Sequence, residues 1–127
     1  MIEYRDGHPV ELEALAALRE ACGFKDQGPG VLEAQLSGAR YAAAAYDAGR
    51  LVGFARALSD GVTSGYISSV MVAAEHRRRG IGRELIGQLV RGREHIRWVL
   101  HARQGAAEFY RALGFQPSPD LLWRDRR

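Results

Sequence analysis

The stretch from Tyr66 to Val90, YISSVMVAAEHRRRGIGRELIGQLV, constrains the fold more than any other. Tyr66 to Val72 is a short run rich in β-formers and reads as a strand. Arg77 to Gly82, RRRGIG, is a tight basic loop. From Ile81 the apolar residues fall at 81, 85, 86, 89 and 90, which is one stripe of a helix. Strand, glycine loop and helix N-terminus in succession make an anion site. The first turn of a helix has unpaired N–H groups and a partial positive charge, and both favour phosphate. Gly80 and Gly82 let the backbone approach a ligand closely. Arg77, Arg78, Arg79 and Arg83 add charge that can pair with phosphate oxygens.

Two familiar phosphate loops are excluded. No Gly-Lys-Ser/Thr ends the loop, and no Gly-x-Gly-x-x-Gly opens the helix. Charge is uneven along the 127 residues. Residues 1–75 carry 6 basic and 10 acidic side chains, whereas residues 76–127 carry 12 and 5. Such asymmetry fits nucleic acid or one polyanionic small ligand. Interleaved aromatics and helix-turn-helix or zinc spacing are missing, so nucleic acid ranks last. His8, His76, His95 and His101 have no paired-ligand spacing, so no metal is expected. The single cysteine, Cys22, fits a reducing compartment. No run is long and apolar enough to span a bilayer, and the N-terminus lacks a signal pattern. A cytoplasmic, single-domain chain over residues 1–127 is expected.

The rest of the chain reads as follows. Ile2 to Arg5 is a first strand. Pro9 suits the first turn of a helix over Val10 to Ala21, whose Leu12, Leu15, Leu18 and Cys22 lie near one face. Val31 to Leu36 is a second short helix. Arg40 to Tyr46 and Leu51 to Leu58, joined by Asp47-Ala48-Gly49-Arg50, read as a hairpin, although the alanines at 42 to 45 favour a helix by propensity. Ile96 to His101 is a strand that should run parallel to the Tyr66 strand after the helical crossover. Gly105 to Leu113 is the last helix, stopped by Gly114. One strand at most fits the end, near Leu121 to Arg124.

Arg77-x-x-Gly80-x-Gly82, after Val70-Met71-Val72, resembles motif A of the GNAT superfamily of acyl-CoA-dependent N-acetyltransferases. Gly105 to Phe115, GAAEFYRALGF, resembles that family's motif B, and the two motifs stand in the right order. The resemblance covers Leu51 to Phe115 well and the N-terminal part loosely. It implies an α/β (α+β) fold: a mixed, mainly antiparallel sheet flanked by helices, with a splayed parallel strand pair that holds CoA. It implies acetyl-CoA as acyl donor and a small-molecule or peptide amine as acceptor. Val70, Met71 and Val72 would then hold pantetheine through their backbone, and the amides from Arg78 to Arg83, including Ile81, would hold the diphosphate. Tyr110 matches the family's tyrosine and would protonate the departing thiolate. A homodimer would fit the short C-terminus.

Two departures stand out. Many members carry a carboxylate on the central strand as base, where this chain has Ser68 and Ser69. His101, Asp60, a carboxylate of the first helices or bulk water could serve instead. Arg103 and Gln104 occupy the area of a frequent cofactor-binding asparagine. The leading expectation is an N-acetyltransferase working by direct attack in a ternary complex. A non-catalytic acyl-CoA-binding domain is the alternative. The acidic excess of the first half points faintly to a cationic acceptor.

Overall fold

Four consecutive alanines, Ala42 to Ala45, run through the middle of the structure as a strand rather than a helix. Each is buried, and small side chains let covering helices approach both faces of the sheet closely. The computed structural model describes residues 1–126. Five strands, β1 (Ile2–Asp6), β2 (Tyr41–Asp47), β3 (Arg50–Ser59), β4 (Ser64–Val72) and β5 (Arg97–Leu100), form one sheet in sequence order. β1 to β4 are antiparallel to their neighbours, and β5 is parallel to β4. The helices are α1 (Leu12–Ala21), α2 (Val31–Gly38), α3 (Ile81–Val90) and α4 (Ala107–Ala112). The β2–β3 hairpin turns on Ala48 and Gly49, with φ of 49° and 82°. Two adjacent positive φ angles give the turn whose twist suits a two-residue hairpin.

Successive side chains on β3 face opposite ways. Gly53 faces α3, and a methyl group there would lie 3.0 Å from Ile81 Cγ2 and 3.1 Å from Leu85 Cδ1. Phe54 faces the other side, where Leu15 of α1 packs. The stripe expected on α3 is real: Ile81, Leu85, Ile86 and Leu89 are buried, with Val90 at the margin. At the far edge, Gly65 pairs with Trp98, and a larger residue at 65 would overlap the indole.

The structure departs from the sequence reading at three places. Pro9 precedes α1, which starts at Leu12 with Glu11 as N-cap. Leu12 therefore lies on the first, outward-turned position and is exposed, while Leu15 and Leu18 are buried. Leu121 to Arg124 forms no strand. Pro117 and Pro119 lack amide donors, and Leu121, Leu122 and Trp123 are exposed and pair with no described strand.

Leu85 is fully buried between α3 and the sheet. Leu85→Ala is expected to lower unfolding free energy by about 2–5 kcal/mol in urea titrations. The β3–β4 turn rests on Asp60. Its Oδ1 accepts the amides of Val62, Thr63 and Ser64 at 2.8, 2.9 and 3.0 Å, and Oδ2 accepts the Thr63 hydroxyl at 2.9 Å. These bonds, the Ser64 amide foremost, hold its carboxyl far below the usual aspartate range. A carboxylate with a depressed folded pKa stabilises above its unfolded pKa and loses that contribution as pH falls. Asp60→Asn should lower Tm at pH 7, and the deficit should shrink below about pH 4, where the unfolded aspartate protonates.

Candidate active site

β4 is paired with β5 only along Ser64–Ile67, opposite Arg97–Leu100. From Ser68 to Val72 it has no neighbour on that side among the described residues. The cause lies in β4 itself. On its other side Phe54 pairs with Met71 and Arg56 with Ser68, so two residues of β4, Ser69 and Val70, stand against Ala55 alone. Ser69 takes φ 59°. This is a β-bulge, which bends its strand and re-aims the backbone. β4 leans away from β5, and the backbone of Val70, Met71 and Val72 borders the resulting gap. Met71 and Val72 keep their side chains in or against the core.

Past Val72 the chain makes one short helical turn at Ala74–His76 and enters the basic loop. Arg77 donates Nε–H to the Val72 carbonyl at 3.1 Å, so it fastens the loop to the end of β4. Arg78 and Gly80 take left-handed φ angles of 65° and 79°. Gly80 is the N-cap of α3, and no side chain caps that end. The amides of Ile81, Gly82 and Arg83 come before the first in-helix donor, Glu84, whose N–H reaches the Gly80 carbonyl at 3.0 Å. Such amides are available to an anion. Ile81 is buried and anchors the turn, while Arg77, Arg78, Arg79 and Arg83 are exposed around it.

A buried contact holds this loop and had no signal in the sequence. His76 is 6% exposed, and its Nε2 lies 2.8 Å from Asp47 Oδ2 at the end of β2. Arg50 Nη2 donates to Glu75 Oε1 at 2.8 Å beside it. The hydrogen bond with His76, more than its charge, pulls the Asp47 carboxyl below the ordinary range. The β2–β3 turn thus grips the segment that leads into the phosphate-type loop.

Tyr110 lies on α4, half-buried, with Phe109 and Phe115 edge-on to its ring at 5.0 and 5.8 Å between centroids. It borders a cleft of about 650 Å³ together with Ser68, Ser69, Val70 and Leu100, the residues at the strand separation. Burial pushes the Tyr110 phenol above the ordinary tyrosine range, against the opposing pull of the Arg103 charge. It is therefore protonated at neutral pH, the state an acid needs.

The candidate bases separate. Asp60 sits in the turn before β4, at the opposite end of the strand, and its four hydrogen bonds make it a poor base. His101 borders the same cleft as Tyr110, with its ring 5.6 Å from that of Trp123. Asp125 is the one carboxylate among the described residues that line the cleft. Glu20 and Asp26 line a neighbouring hollow between α1 and α2 instead. The acidic excess of the first half therefore does not reach the cleft. Its lining is basic, with Arg19, Arg56 and Arg103 facing in.

Known proteins share the family and the fold. A family model described as an acetyltransferase (GNAT) domain matches residues 37–117. The chloroplastic serotonin N-acetyltransferase 2 of Oryza sativa subsp. japonica is 38% identical over 82 residues, which is 62% of this chain and 41% of that enzyme. The chain thus spans about two-fifths of that relative's length. A GNAT family acetyltransferase from Streptococcus pneumoniae TIGR4 shares the fold with a TM-score of 0.82 at 24% identity, with all of both chains covered. AAC(6')-Iy, solved with a CoA-containing bisubstrate analogue, superposes with a TM-score of 0.77 at 18% identity over 100% of this chain and 99% of its own. The five-stranded, mostly antiparallel sheet with its parallel β4–β5 pair and flanking helices is the fold that the resemblance implied. With the family model covering well over half of its length, the chain belongs to the acetyltransferase (GNAT) family.

Proposed function

We propose that this protein is an acetyl-CoA-dependent N-acetyltransferase that acts on a primary amine by direct attack in a ternary complex. One observation carries the reading. The unpaired edge of β4 starts in the cleft that Tyr110 borders and ends at Val72, whose carbonyl is held by Arg77 of the loop before the uncapped start of α3.

The residues fit the donor. An open strand edge can accept an extended amide-bearing chain as it would another strand, which suits pantetheine at Val70–Val72. The amides from Arg78 to Arg83, with their arginine fringe, suit a diphosphate. The donor supplies an activated acetyl group on sulfur. This chain's part is to orient that group at the bulge, to exclude water on the core side of β4 and to hold a proton at the Tyr110 oxygen for the departing thiolate. A backbone N–H of the bulged strand is the group best placed to stabilise the developing oxyanion. His101, in the same cleft, is the residue able to take the amine proton.

A second reading, an acyl-CoA-binding domain without turnover, draws on Ser68 and Ser69 standing where many members have a carboxylate. Free-thiol release separates the two. Acetyl-CoA with a broad amine panel should yield thiol in proportion to acetylated amine. Binding of CoA with no thiol released from any amine would favour the second reading.

Tyr110→Phe should lower kcat by roughly 10²–10⁴-fold, the usual worth of a positioned acid, while KM for acetyl-CoA changes little. The wild-type rate should also fall as pH rises through the phenol pKa, above about 10, and the Phe variant should lack that limb. An unchanged kcat at every pH would remove Tyr110 from the mechanism.

A further inference from the structure

Arg19 of α1, Arg56 of β3 and Arg103, just beyond β5, come from three separate parts of the chain and converge on one cleft. Arg19 and Arg56 are half-buried. None of the three has a carboxylate within ion-pair distance among the described residues. What holds them together is not opposite charge. Arg19 and Arg103 both lie over the Phe24 ring, at 4.9 and 3.9 Å from its centroid. An aromatic face can seat a cation, but it does not neutralise it. Burial is the main cost to the charge on Arg19 and Arg56, a neighbouring arginine adds to it in each case, and Asp26 offsets part of it for Arg19. Half-buried positive charge without a partner destabilises the free protein and is relieved when an anion enters.

The cluster is set beside the chemistry. Arg56 donates Nε–H to Ser69 Oγ at 3.1 Å, and Ser69 is the left-handed residue of the bulge. With Nε engaged there, the two terminal nitrogens of Arg56 remain for an outside acceptor. Paired guanidinium donors match the two oxygens of a carboxylate. The cluster is distinct from the arginine fringe of the Arg77–Arg83 loop, none of whose residues lines this cleft. It is therefore not needed for a diphosphate bound at that loop.

We propose that the acceptor is a primary amine that carries its own carboxylate, an amino acid or a close analogue. The carboxylate is held by Arg19, Arg56 and Arg103, and the amine is directed toward Ser69 and Tyr110. This rests on the acyl-transfer reading for the identity of the reacting group, but the anion site itself does not. It reverses the cationic acceptor that the acidic N-terminal half suggested.

The test uses matched probes that differ only in the anion. N-acetyl-L-alanine and N-acetyl-L-alaninamide are titrated calorimetrically at low ionic strength into the wild-type protein, Arg56→Gln and Arg19→Gln. The carboxylate probe should bind at least about tenfold more tightly than the amide, as a charge-assisted contact implies. Either variant should erase most of that difference, and Arg19→Gln, which makes no bond to the bulge, should leave CoA affinity unchanged. Equal binding of the two probes, heat from neither, or a difference that survives both variants would overturn the proposal. Loss of CoA affinity in one variant marks a folding defect, and the other variant then decides. Thiol release from L-amino acids and their amides separates this proposal from the broader one. Equal turnover of acids and amides sinks the carboxylate site and leaves the transferase standing. Selective binding of the acid probe with no turnover of any amine sinks the transferase and leaves the site.

Discussion

A strand in a sheet has two edges, and each N–H and C=O along them needs a partner. β4 pairs with β3 along one edge except at the Ser69–Val70 bulge, but leaves the other unpaired from Ser68 to Val72. The edge opens where β5 ends at Leu100 and where the bulge at Ser69 bends β4. Everything proposed for this protein depends on that local defect. The open edge, the mouth of the cleft and the placement of Tyr110 against Val70 all follow from the separation of two strands that begin as neighbours.

The surrounding structure pins the defect in place. α3 is locked to the sheet by Ile81, Leu85, Ile86 and Leu89, and Ile81 is also the first residue after the loop glycine. The same side chain that begins the core stripe therefore fixes where the free amides of the helix start. His76 and Asp47 do the equivalent from the other end of the loop. A buried histidine bonded to a carboxylate is sensitive to small displacements, so the β2–β3 turn is coupled mechanically to the loop. Phe24, just past α1, seats two of the cleft arginines, Arg19 and Arg103.

Much of this was legible in the sequence. The apolar stripe of α3, the two glycines before it and the aromatic pair before Gly114-Phe115 point to the elements where the structure has them. The alanine run could be read as a strand because a hairpin turn followed it and the family resemblance demanded one. Its propensity was overridden by burial on both faces. The bulge was not legible, because a serine carries the left-handed angle there and no glycine marks it. The His76–Asp47 contact joins residues 29 apart, and periodicity does not register such a pairing. Charge was legible only in bulk. The halves of the chain differ in sign, yet Arg19 and Arg56 of the acidic half meet Arg103 of the basic half in one cleft. Composition by segment does not register the basic lining of that cleft. The tail failed for a simpler reason: apolar residues near Leu121 looked like a strand, but Pro117 and Pro119 precede them without amide donors and the segment joins no described strand.

The central claim is that the β4 edge and the amides of the Arg78–Arg83 turn are a binding surface in the free protein. Backbone hydrogen exchange, followed residue by residue with and without CoA, tests it most directly. Added protection at Val70–Val72 and from Arg78 to Arg83, with β1 and the β2–β3 turn unaffected, is the expected result. Unchanged exchange at both places with CoA in saturating excess would contradict it, as would protection confined to other parts of the chain.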